Sequence, residues 1–143
     1  MKASSARQFL SLLAILHIIV GLILPFIANT RLFNYYNEKM LVAFNTSSIE
    51  SLELGKFMIG ILGPSIASWG VLFLFLVQHA YRTGSSTAWI TMIIAIVGWS
   101  IYDMALSVYA GVYLNLLIDC FVMSLLLIPL ILTKSHFYKQ SYE

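Results

Sequence analysis

Cysteine and charge are what this sequence has least of. One cysteine, Cys120, stands among 143 residues, so there is no internal disulfide, no CxxC redox pair and no thiolate zinc site. Cys120 lies in an apolar run, where the expected role is that of a small buried hydrophobe. Charged residues make up 10% of the chain, far below the roughly 25% of soluble domains. The net charge of +2 is small, and the Lys and Arg residues flank hydrophobic stretches instead of forming one basic stripe, which excludes nucleic acid as a partner. There is no phosphate-binding glycine loop and no basic residue inside an apolar stretch to grip an anion. Of the histidines only His17 lies well inside such a stretch, with His79 at an end and His136 in the tail, so a two-haem cytochrome with facing axial ligands is excluded. Neither a metal nor any other cofactor is expected.

What is present is apolar surface. Hydrophobic residues account for 60% of the chain and the mean hydropathy is +0.89. The length suits one domain, and a core built from so few residues cannot hide that surface from water. A bilayer can. Crossing about 30 Å of hydrocarbon takes about 20 helical residues. Four stretches are long enough: roughly Phe9–Ala28, Phe57–Ala80, Ala88–Val108 and Leu114–Thr133, none interrupted by Lys or Arg. The expected fold is all-α: a single integral membrane domain over residues 1–143, an antiparallel four-helix bundle with spans at about 9–28, 57–80, 88–108 and 114–133.

The connections differ in kind. Residues 29–56 form the only long one, and Phe33, Tyr36, Met40 and Phe44 within it recur at helical spacing, as in a short helix lying in the interface. Ser47-Ser48-Ile49-Glu50 fits a capping box, which would start the second helix about two turns before it enters lipid. Tyr81–Thr87 reads as a tight polar turn around Gly84, and Tyr109–Tyr113 as an uncharged turn on Gly111, joining the last two spans as a helical hairpin.

Basic residues orient the bundle. Lys2, Arg7, Arg82, Lys134 and Lys139 fall on one side, while Arg31, Lys39 and Lys56 on the other are matched by Glu38, Glu50 and Glu53. The positive-inside rule then places both ends in the cytoplasm (N-in/C-in) of a multi-pass protein of the inner, or plasma, membrane. Cleavage of the first span as a signal peptide is the alternative. Against it, the apolar run is long for an h-region, and a cut after Ala28 would put Phe26 where a small residue is wanted. Asn45-Thr46-Ser47 is a glycosylation sequon, relevant only in a secretory pathway.

Polar side chains within the spans are the candidate site. An ionised carboxylate near the bilayer centre costs on the order of 3 kcal/mol on insertion scales, and Asp103 and Asp119 both sit within spans. Trp99, Asp103 and Ser107 form one stripe on the third helix, and Asn115, Asp119 and Met123 one on the fourth. Asp103 lies about 22 Å from the cytoplasmic start of its helix and Asp119 about 9 Å below the outer turn, at 1.5 Å per residue. Both therefore occupy the outer half, and a shared cavity with Asn115 between them is expected. His17 falls near the midplane, level with Trp69; Ser65 and Ser68 lie on the second span beside a stripe of small residues, Gly60, Gly63, Ala67 and Gly70, that admits a close neighbour. Pro64 is expected to kink that helix. Each residue also has a plainer reading. His17 can hydrogen-bond across helices, the carboxylates can pin helix ends at the interface, and Trp69 and Trp99 can be packing residues. Tyr102, Tyr109 and Tyr113 read as an outer aromatic belt, Tyr81 and Trp89 as an inner one.

Tyr81-Arg82-Thr83-Gly84 followed by Ala88-Trp89, the spaced set Trp99, Asp103, Ser107, Gly111-Val112-Tyr113 and Asn115, and then Pro129-Leu130 resemble a bacterial family of four-helix membrane proteins in the DoxX-like superfamily. The likeness covers about residues 57–133. It implies a four-helix inner-membrane bundle. Some members of the superfamily are associated with sulfur or quinone redox chemistry, a thiol-based form of which the lone Cys120 counts against. It supplies no site residues.

Three functions remain open. The first, and the preferred one, is a binding or accessory protein that holds a membrane lipid, a quinone or another membrane subunit in a polar cavity open to the outer side. The second is a small proton-coupled transporter using Asp103, Asp119 and His17 as a relay, which at this size requires a homodimer. The third is an intramembrane isomerase or oxidoreductase using the same groups as acid and base. The candidate ligand or proton-site residues are Asp103, Asp119, Asn115, His17, Trp99, Ser107, Ser65 and Trp69. No residue among them is assigned a catalytic role, and the balance is against an enzyme.

Overall fold

A computed structural model describes residues 1–28, 30–45 and 48–138, without the side chains of Arg31 and Leu32. The chain is helical throughout these residues: α1 (Ala3–Ile27), α2 (Arg31–Ala43), α3 (Ile49–Thr83), α4 (Ser86–Tyr109), α5 (Tyr113–Leu132) and α6 (Lys134–Tyr138). Helices α1, α3, α4 and α5 are each long and apolar enough to cross a membrane, and in each only 22% of the most apolar window is buried within the protein. The remainder, including Leu12, Val20, Phe26, Leu72, Phe75, Ile94 and Phe121, faces outward. Monomeric soluble proteins do not expose apolar surface on that scale.

The helix limits follow from local chemistry. Helix α3 starts at a cap, Ser48, whose hydroxyl accepts from the Ser51 backbone N–H at 3.1 Å and lies 2.8 Å from the Ser51 hydroxyl. The expected cap, Ser47, lies outside the described residues, as does Thr46 of the sequon; the box sits one residue later, with Ser51 in place of Glu50. At 35 residues, α3 is about 52 Å long, so it runs beyond a bilayer core on the α2 side. It continues through Pro64 and stops at Gly84, whose φ of 65° is left-handed and favours glycine. The turn to α4 is thus only Gly84–Ser85, shorter than the Tyr81–Thr87 loop expected, and Ser85 caps α4 by accepting from the Ala88 N–H. Gly111, φ 72°, makes the turn between α4 and α5.

Helix α1 packs chiefly on α3, and α4 on α5, with α3 and α4 joining the pairs. The α1–α3 seam is made by small residues. A Cβ on Gly63 would stand 2.5 Å from the Gly21 carbonyl oxygen, and one on Gly70 2.9 Å from that of Ala14. Gly63, Ala67 and Gly70 are buried there as a stripe against α1, so the backbones come close enough for dispersion to act between main chains.

Most of the apolar core gathers at one end, where Ala6, Leu10, Val77, Ala80, Met92, Leu126, Leu130 and Phe137 are buried together. Helix α6 folds back across this end. Tyr81 and Trp89, expected in a lipid-facing belt, are enclosed here instead: the Tyr81 hydroxyl lies 2.6 Å from Thr133 Oγ1, and Trp89 Nε1 donates to the Leu130 carbonyl at 3.0 Å. The Phe137 ring packs on both. Their polar tips find protein partners and have no need of a water interface. Cys120 is the reverse case. It is exposed, 3.6 Å from Met104 Sδ, and is not a core residue. Tyr102, Tyr109 and Tyr113 are exposed as a belt requires.

Candidate ligand cleft at the α2 end

At the opposite end the core gives way to polar groups and cavities. Four of the candidate residues meet at the middle of the molecule: His17 of α1, Ser65 and Trp69 of α3 and Trp99 of α4 line one cavity of about 270 Å³, with Leu62 and Ile66. The cavity lies between the two helix pairs, since α1 and α3 supply one wall and α4 the other. His17 rests against Trp69, ring centroids 5.1 Å apart at 50°, and Trp69 stacks on Phe73 at 4.8 Å. The His17 hydrogen bond is not the cross-helix one weighed from sequence. Its Nδ1 lies 2.8 Å from the Leu13 carbonyl oxygen, one turn back on α1. A carbonyl only accepts, so Nδ1 donates to it, and Nε2 is the ring nitrogen left for another partner.

The other four lie on α4 and α5 and do not line that cavity. Asn115 Nδ2 donates to Ser107 Oγ at 2.7 Å and to Asp119 Oδ2 at 3.3 Å. Asn115 thus ties α5 to α4 through Ser107, one turn from Asp103, and not through Asp103 itself. Ser107 and Asp119 are buried at 5% and 3% exposure, while Asp103 is half-buried. Asp103 stands one turn from Ser107 on α4 and Asp119 one turn from Asn115 on α5, and the Asn115–Ser107 bond links the two turns. Neither is ion-paired: among the described residues the only salt bridge is Lys56–Glu53, near the start of α3.

Two residues of α2 complete this end: Tyr36, read from sequence only as part of a helix face, and Asn37, not singled out at all. Tyr36 faces the acidic wall. Burial, reinforced by the charges of Asp103 and Asp119, raises its hydroxyl above the usual phenol pKa of 10.0 and keeps it a hydrogen-bond donor. Asn37 beside it is buried at 4% exposure, with no partner for its amide nitrogen. Both line a second cavity of about 450 Å³ between α2 and the start of α3, and Leu62 borders both cavities. The available signal was the apolar face Phe33–Tyr36–Met40–Phe44, which marked a helix but left open what it covers. Asn37, adjoining that face, was the one polar residue there to question.

No group of three or more His, Cys, Asp or Glu side chains among the described residues is placed to hold a metal. The arrangement can accept hydrogen bonds from a ligand at His17 and the carboxylates, donate from Tyr36, and enclose a flat or chain-like apolar body between Trp69 and Trp99. Compared with known proteins, the chain matches no family model, no curated sequence and no solved structure.

Proposed function

We propose that the chain is a multi-pass inner-membrane protein, an antiparallel bundle of α1, α3, α4 and α5 with both ends cytoplasmic. In its outer half it binds a membrane amphiphile, a lipid or a quinol, whose head donates hydrogen bonds. What supports this reading is the pair Asp103 and Asp119 on α4 and α5, neither in an ion pair among the described residues, together with the cavity lined by His17, Trp69 and Trp99, the last of which stands one turn from Asp103 on α4. Carboxylates held away from water need either a proton or a donor-rich partner. A hydroxyl- or amine-bearing head supplies one, and the aromatic cavity receives the apolar part. Among the described residues no Lys or Arg lines the cavity, which disfavours an anionic head. The resemblance to the DoxX-like superfamily agrees with a four-helix inner-membrane bundle and with quinone as one candidate ligand.

The test is a native mass spectrum of the full chain from mild detergent, before and after Asp103→Asn. A co-purifying lipid or quinol that is lost in a normally melting variant supports the reading. A bound second membrane subunit on the same face, or no bound species at all, refutes it. The same uncompensated carboxylates favour a second reading, proton-coupled transport. That predicts a dimer in the spectrum and proton flux into liposomes that stops with Asp103→Asn, whereas a binding protein gives neither.

A further inference from the structure

The cavity beneath α2 adjoins the one lined by His17 and Trp99 through Leu62, but its chemistry differs. Its wall includes Asn37, Met40, Phe44, Leu52, Gly55 and Met58, and among the described residues no charged side chain lines it. At about 450 Å³ it falls within the size range of small-molecule sites. It is far larger than a water needs, and its apolar lining gives water few partners. Within it one polar group is left over: the Asn37 amide nitrogen, buried and without an acceptor. A buried donor left unpaired is rare in folded proteins and marks a missing partner. That partner must present an acceptor while filling apolar space. We propose that this cavity binds the ester region of a diacyl membrane lipid, with an ester carbonyl oxygen accepting from Asn37 Nδ2 and the upper acyl chain lying against Met40, Leu52 and Met58. Helix α2, amphipathic and set at the outer end of α3, is then the lid of a lipid site, and lipid occupancy holds it over the neighbouring acidic cleft. The inference rests on the reading of the chain as a membrane protein, but not on what the acidic cleft binds.

An ester and an ether lipid differ in the carbonyl alone, which makes the test direct. The full chain in mild detergent is titrated with diacyl phosphatidylethanolamine and with its dialkyl ether analogue, and retention of each is read by native mass spectrometry. The wild type is expected to hold the ester lipid about five- to tenfold more tightly, the worth of one hydrogen bond. Asn37→Leu removes the unpaired donor, keeps the volume and should erase that preference. Gly55→Leu projects into the cavity from a position where an added Cβ meets nothing within 4 Å, so it should fold normally and weaken both lipids. Equal retention of ester and ether by the wild type, or a preference that survives in Asn37→Leu, overturns the proposal while leaving membrane insertion intact. Failure to retain either lipid also overturns the proposal, and leaves the membrane reading, which stands on the four apolar helices, untouched.

Discussion

Gly21→Ala is the smallest change that tests how α1 and α3 are held together. An added Cβ would meet the Ala67 backbone nitrogen, the Gly63 carbonyl oxygen at 2.5 Å and the Ala67 Cα at 2.9 Å. All three are main-chain atoms and cannot rotate aside. Ordinary contact begins at 3.4 Å, so the helices must part by about 1 Å, and a gap of that size forfeits a quarter to a half of each dispersion contact along the seam. Overpacking of this kind costs about 1–3 kcal/mol. Against it stands the helix propensity of alanine, a gain of at most about 1 kcal/mol over glycine. The steric term wins, leaving a net loss of about 1–2 kcal/mol and a Tm lower by roughly 4–8 °C for a chain of this size. Gly98→Ala is the matched control, because a Cβ there meets nothing within 4 Å; it should leave Tm unchanged or raise it slightly. Both are read by near-ultraviolet circular dichroism melts in one detergent. A Gly21→Ala protein melting at or above the wild type would refute the close-packed seam.

Gly63→Leu and Gly70→Leu should lower Tm further than Gly21→Ala, since each drives a whole side chain into α1; unchanged melting of both would place the stripe against lipid. A phosphatase or fluorescent reporter fused after Glu143 should report the cytoplasm, and one inserted between residues 45 and 50 the opposite side. Tyr36 ionises above its unfolded value of 10.0, so its contribution to stability is complete below pH 10 and is lost as the pH rises through the folded-state pKa. One late-titrating phenol should be lost from an absorbance titration in Tyr36→Phe, and the same one should move down in Asp103→Asn or Asp119→Asn. No change in the carboxylate variants would remove Tyr36 from the acidic wall.

Four apolar stretches of spanning length, the spacing of Phe33, Tyr36, Met40 and Phe44, and the glycines at 84 and 111 were enough to lay out α1 to α5 to within a few residues at most ends. These are local properties: helix periodicity, apolar length and backbone freedom act within a turn or two of chain. The stripes Trp99–Asp103–Ser107 and Asn115–Asp119 were legible for the same reason, because i, i+4 spacing places residues on one helix face whatever lies opposite. What lies opposite was not legible. That Gly21 and Ala14 of α1 receive the α3 stripe depends on the register of two helices distant in sequence. So does the joining of His17 and Trp99 across one cavity. The fate of Tyr81 and Trp89 turned on the end of α5, which offers Thr133 and Leu130, and on α6, too short to stand out by periodicity, folding back to offer Phe137. Asn37 carried no sign of being buried without a partner until α3 lay beside α2. Side-chain period is written along the chain, whereas partners, register and leftover space exist only once helices pack.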